Sequence, residues 1–175
     1  MSHNTQVINT IEPDALSNYT AVTSRPFILI GRGESDVYTN SGGSLSAGSN
    51  TYFYDTAPVN SIVGASLSGA NDWYYAVNLP VGSYFIRAFF SALFSATGSM
   101  RTGLHNGSVY VGSQAFIGGS TLSTYDGGGF ASTTITITSP TTFSLKIVSS
   151  SNLSSVSAQG AVPAEESWMM VEKVL

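Results

Sequence analysis

Few residues in this chain could do chemistry, and their spacing decides how far each can be taken. The two histidines are His3, close to the N-terminus, and His105, beside Asn106-Gly107; there is no cysteine. A nucleophile would have to be a serine or threonine activated by a base. No Gly-x-Ser-x-Gly elbow is present to expose such a serine on a strained turn, and His105 reads as a polar residue flanking a turn. Glu165-Glu166 is not the separated carboxylate pair that glycoside hydrolysis needs. Adjacent residues of an extended segment point to opposite sides. Gly31-x-Gly33 has Asp36 where a dinucleotide fingerprint needs its third glycine, with no helix to follow. Asp126, ahead of Gly127-Gly128-Gly129, offers one carboxylate where calcium takes six to eight oxygens. The sequence implies no catalytic residue, no metal and no cofactor.

Arg87 and the aromatic residues point instead to contact surfaces. Arg87 stands between Phe85 and Phe89 in an alternating run, so burying it would require an acid or backbone carbonyls. Glu172, or an acid from a second copy of the chain, could supply that partner; the alternative is that the side chain reaches out to solvent past an edge. Tyr52, Tyr54, Trp73, Tyr74 and Tyr75 could line a shallow carbohydrate-binding face. With no separate polar cluster beside them in the sequence, core or interface packing is the expected role.

The elements that must position these residues are strands. The chain has 175 residues, 42% hydrophobic and only 9% charged, against a usual charged share of ~25%. Its polar content is serine, threonine, asparagine and glycine, which suits sheet and makes a poor solvated helix surface. Net charge is −4, and the six Lys and Arg residues are scattered singly. That argues against nucleic-acid binding. No apolar run approaches the ~20 residues of a membrane-spanning helix, and Met1 to Asp14 has neither the basic start nor the apolar stretch of a secretory leader.

Leu79-Pro80-Val81-Gly82 reads as a tight turn. The run behind it puts Tyr84, Ile86 and Ala88 on one face and Phe85, Arg87 and Phe89 on the other. Phe27 to Ile30 and Trp168 to Leu175 are likewise apolar on both faces. Strands of this kind need a second layer on each side, and a chain this short could take one of those layers from another copy of itself. Asn50 to Tyr54, Asp72 to Val77, Thr133 to Thr138 and Phe143 to Ile147 are further strands, and Ser61 to Leu67 is a weaker one. Asn106-Gly107 predicts a type I′ hairpin turn, and Tyr125 to Phe130 an open loop. Eight to ten short strands and no helix argue for an antiparallel two-sheet sandwich, jelly roll or barrel.

Four motifs together resemble one family: Gly42-Gly43-x-Leu45-x-x-Gly48, Leu79-Pro80-x-Gly82-x-Tyr84-x-Ile86, Asn106-Gly107 and Thr142-Phe143-x-Leu145. The family is the trimeric jelly-roll domain of tailed-bacteriophage structural proteins, found at tail-fibre tips and on capsid surfaces. Its shape is similar to the globular heads of complement and tumour-necrosis-factor-like proteins. The resemblance spans residues 26–175. It implies a two-sheet jelly roll, assembly as a homotrimer and a place in the virion. Phe85, Arg87, Phe89, Trp168 and Met170 would then lie in the trimer interface.

Residues 1–25 read as an extended arm, in which Val7, Ile8, Ile11, Leu16 and Tyr19 are spread among polar residues and Pro13 interrupts any helix. No heptad repeat precedes the domain. That favours a capsid decoration or cement protein, its arm anchored on the major capsid protein, over the receptor-binding tip of a tail fibre.

Overall fold

The computed structural model describes residues 25–31, 47–91, 98–119, 128–151 and 167–174. They form eleven strands, and no helix occurs among them. In chain order the strands are β1 (Phe27–Ile30), β2 (Phe53–Tyr54), β3 (Val59–Asn60), β4 (Ser66–Ala70), β5 (Trp73–Leu79), β6 (Gly82–Ser91), β7 (Gly98–His105), β8 (Tyr110–Gly119), β9 (Gly128–Ile137), β10 (Thr141–Ser151) and β11 (Trp168–Lys173). Two antiparallel sheets result. One has five strands in the order β3-β1-β11-β6-β9; the other has six, β2-β5-β10-β7-β8 with β4 also paired to β5. This is the expected all-β jelly-roll sandwich. The arm, residues 1–25, lies outside the described residues but for Arg25.

The expected alternation governs the core. Tyr84, Ile86 and Ala88 of β6 point inward with Ile28 and Ile30 of β1 and Met169 and Val171 of β11. They meet Val77, Leu79, Leu104, Phe143, Leu145 and Ile147 from the other sheet. Full burial of each such large apolar side chain contributes on the order of 1.5–3 kcal/mol. Ile137 of the Thr133–Thr138 run is buried as expected, with Ile135 half-buried against the same cluster.

The Pro80-Val81 turn carries the chain from the six-stranded sheet at β5 to the five-stranded sheet at β6. Tyr84 fixes this corner, its buried hydroxyl donating to the Pro80 carbonyl at 2.8 Å. Burial raises the Tyr84 phenol pKa, which keeps the O–H protonated as a donor. Tyr84→Phe should therefore lower stability by about 0.5–1.5 kcal/mol, a fall in melting temperature of about 2–4 °C per kcal/mol for a chain of this size. Thermal denaturation followed by circular dichroism measures it.

The two long edges of the sandwich are tied differently. On one side β8 meets β9, where the Ser132 N–H donates to the Ser113 hydroxyl at 2.9 Å. Gly112, at φ +74°, lies so close that a Cβ would sit 2.1 Å from the Ser132 carbonyl oxygen, so only glycine fits. On the other side the Gly31 N–H donates to the buried Asp55 carboxylate at 3.1 Å.

Several expected boundaries move. The Asn50–Tyr54 run shortens to Phe53–Tyr54, and Asn50 makes a single bridge to Lys146. Ser61–Leu67 is broken by a turn, with Ala65 N donating to Ile62 O at 3.0 Å, between β3 and β4. Phe130 lies within β9 rather than in an open loop, because Gly128 to Phe130 pair with Phe89 to Ser91 of β6.

The β7–β8 connection is a hairpin but not a type I′ turn. His105 pairs with Tyr110 across a four-residue loop, and only Gly107 takes positive φ, +91°. The Asn106 side chain captures the Ser108 and Val109 N–H groups at 3.1 and 2.9 Å, and this local bonding opens the turn. A two-residue hairpin occurs instead at Asn71-Asp72, both at positive φ (52° and 65°), joining β4 to β5.

One core position works against stability. Thr102 of β7 is fully buried and its hydroxyl has no hydrogen-bond partner among the described residues. Thr102→Val keeps the shape and removes the unsatisfied group, so we expect a gain of about 1 kcal/mol in chemical denaturation.

Candidate functional site

The five-stranded sheet puts the outward residues of its strands into rows. Strand register aligns Phe130 of β9, Phe89 of β6 and Trp168 of β11. The next row holds Ser132, Arg87, Met170, Leu29 and Val59, and the third Thr134, Phe85, Glu172 and Phe27. All five residues expected at a trimer interface, Phe85, Arg87, Phe89, Trp168 and Met170, thus share one face. None is fully buried within the chain. The run of half-buried apolar side chains includes Phe27 and Leu29, and Phe130 is 47% exposed.

Arg87 is held by rings rather than by an acid. Its guanidinium lies 4.2 Å from the centre of the Phe130 ring and 5.9 Å from that of Trp168. Phe89 completes the cluster, its ring centre 4.9 Å from Phe130 and 6.3 Å from Trp168. Glu172, the acid considered above, projects from the same face without pairing to Arg87. The cation is attracted to the negative faces of the rings, and its side chain covers apolar surface. Arginine and tryptophan on an apolar face are the residue types that dominate binding energy at protein interfaces.

The outer face of the six-stranded sheet is polar. Asn78 of β5 donates to the Ser66 and Ser68 hydroxyls at 3.1 and 2.9 Å and accepts from Thr142 of β10 at 2.7 Å. Ser144 of β10 pairs with Ala76 of β5 on one side and His105 of β7 on the other. The aromatic group considered for a carbohydrate face divides. Tyr74 packs against the core, whereas the rings of Tyr52 and Tyr75 meet edge to face at 5.5 Å. Tyr75 is an extra residue in β5, since Ser68 pairs with Ala76 and Gly69 with Tyr74. That bulge turns the Tyr75 side chain out beside Ala76, where a polar cluster does stand.

His105 lies against Tyr110, ring centres 5.1 Å apart, and its Nδ1 accepts the Gly107 N–H at 3.1 Å. Its proton therefore sits on Nε2. Burial, and secondarily the Lys146 ammonium, lower its pKa from the ordinary histidine value. Sequence reading placed His105 beside a turn and missed its approach to Lys146, because the two meet only through the β7–β10 register. Among the described residues no group of three or more metal-ligating side chains gathers. Val7, Ile8, Ile11, Leu16 and Tyr19 lie outside the described residues.

No protein-family model and no curated protein matches the sequence. Solved structures do match by shape. Murine APRIL aligns over 86% of this chain and all of its own, with a TM-score of 0.53 at 8% sequence identity. Eiger TNF from S. frugiperda aligns over 86% of this chain and 94% of its own, at TM-score 0.46 and 15% identity. The globular domain of zebrafish complement 1qA covers 87% and 98%, at 0.40 and 8%. The likeness to APRIL supports the jelly-roll fold.

Proposed function

We propose that this chain is a non-enzymatic structural protein of a bacteriophage particle, a homotrimeric decoration or cement protein of the capsid surface. The observation that carries the reading is the outer face of the five-stranded sheet. Soluble monomers rarely expose a contiguous apolar patch larger than a few hundred Å², and this face lines up Phe27, Leu29, Phe85, Phe89, Trp168 and Met170 around Arg87. Three copies packed through it would cover these side chains and bring Arg87 near Glu172 of a neighbouring copy. The motif resemblance supports the particle context, as does a charged content of 9%, which leaves much of the surface to be covered by partners.

In this reading the arm, through Val7, Ile8, Ile11, Leu16 and Tyr19, holds the trimer to the major capsid protein. The trimer caps a junction between capsid subunits and opposes the internal pressure of the particle. Electron cryomicroscopy of the intact particle tests the assignment. Trimeric density on the shell is expected; density confined to the tail would contradict it and identify a fibre tip.

A further inference from the structure

The outer face of the six-stranded sheet gathers positive charge in a chain whose net charge is negative. Outward residues of β7 are Arg101, Gly103 and His105, and Lys146 of β10 pairs with Gly103. The described carboxylates lie elsewhere. Asp55 is buried and accepts from Gly31 and Ala57, Asp72 is in the β4–β5 turn, and Glu172 is on the other sheet. Among the described residues, nothing on this face neutralises Lys146.

Between Lys146 and His105 the floor is small and polar. Ser144 is only 6% exposed, yet its hydroxyl has no partner among the described residues. Its oxygen is not closed off in the interior as the unsatisfied Asn50 and Thr102 oxygens are, so it is open to an acceptor from outside. The space over Gly103 beside it is filled by neighbouring side chains. A Cβ there would stand 3.0 Å from the Tyr110 ring, which crosses the glycine to donate to the Ile147 carbonyl at 2.8 Å. With Nδ1 occupied, His105 offers a second donor through Nε2. One ammonium, one hydroxyl and one imidazole N–H suit a single carboxylate. Apart from Arg101, whose guanidinium lies 5.9 Å from the centre of the Phe116 ring on the β8 side, the surroundings are hydroxyls, an amide and two tyrosine rings. That favours a hydroxylated ring over a polyphosphate chain, whose binding needs many neutralising contacts.

We propose that this face binds a carboxylated sugar. Lys146 takes the carboxylate, Ser144 and His105 donate to it, and the Tyr52–Tyr75 pair packs on the sugar ring. The site is on the sheet opposite the apolar face, so it stays open whether or not copies associate there, and it does not depend on the proposed place in a virion.

Titration of the intact protein with sialyllactose, followed by amide and imidazole NMR, tests the site. Lactose serves as the neutral arm and sodium acetate as the bare carboxylate. Sialyllactose should bind roughly tenfold or more tighter than either, with shifts confined to Tyr52, Tyr75, Asn78, His105, Ser144 and Lys146. The groups facing His105 are Lys146, Tyr110, Ser144 and the Gly107 N–H; with Lys146 neutralised by the ligand, the His105 titration midpoint should move up. Lys146→Gln should weaken binding by roughly tenfold and Ser144→Ala several-fold, while Lys173→Gln, at the end of β11, leaves it unchanged. Acetate matching sialyllactose, lactose matching it, tighter binding of a single-stranded oligonucleotide, or no shift on this face would each overturn the proposal.

Discussion

Phe89→Asp is expected to separate the proposed trimer into folded monomers. Phe89 stands in the middle of the aromatic row, between Phe130 and Trp168, with its side chain on the outer face of β6. The substitution leaves the inward residues Tyr84, Ile86 and Ala88 untouched, so the sandwich should keep its cooperative unfolding. In the assembly it would place a carboxylate among desolvated rings, a cost of several kcal/mol at each of the equivalent contacts. Arg87 of the same chain cannot rescue it without leaving the Phe130 ring. Sedimentation velocity should show the change directly, with the circular dichroism spectrum unaltered. A variant that remains as associated as the parent chain would move the interface away from this face.

Removing residues 2–20 should leave the self-associated domain folded and abolish its attachment to capsids that lack the protein. The paired strands begin at Phe27, and the Pro26 carbonyl is already engaged by the Lys173 N–H at 2.9 Å, so the sandwich does not need the deleted segment. The deletion takes away Val7, Ile8, Ile11, Leu16 and Tyr19. Each could contribute on the order of 1.5–3 kcal/mol if fully buried on a partner, and three arms acting together multiply weak grips. Co-sedimentation with stripped shells reads the outcome. Undiminished attachment would rule out the arm as the anchor, and a lowered melting temperature would show that it packs on its own domain.

What was legible in the sequence was set by local periodicity. Tyr84, Ile86 and Ala88 against Phe85, Arg87 and Phe89 could be assigned to opposite faces because side chains alternate on any strand. The Pro80 turn followed from the fixed φ of proline. What was not legible depended on competition or on register. Asn106-Gly107 matched a type I′ turn, but the Asn106 side-chain oxygen Oδ1 accepts from two N–H groups and stretches the loop to four residues. Gly128 and Gly129 have little strand preference of their own, and β6 imposes pairing on them. The Asn71-Asp72 hairpin does carry a local signal, since both residue types tolerate positive φ.

For Arg87, the sequence showed that a cation in an apolar run needs a partner, and an acid or an escape to solvent were the partners weighed. The answer was Phe130, which register brings alongside from β9. The Lys146, Ser144 and His105 cluster was invisible for the same reason. His105 and Ser144 are 39 positions apart in the chain and become neighbours only when β7 pairs with β10.

The most direct test of the central claim is sedimentation equilibrium of the purified intact chain at micromolar concentration. The account predicts a single species of three times the 18.3 kDa chain mass, stable to dilution. A stable species of one chain mass would contradict it.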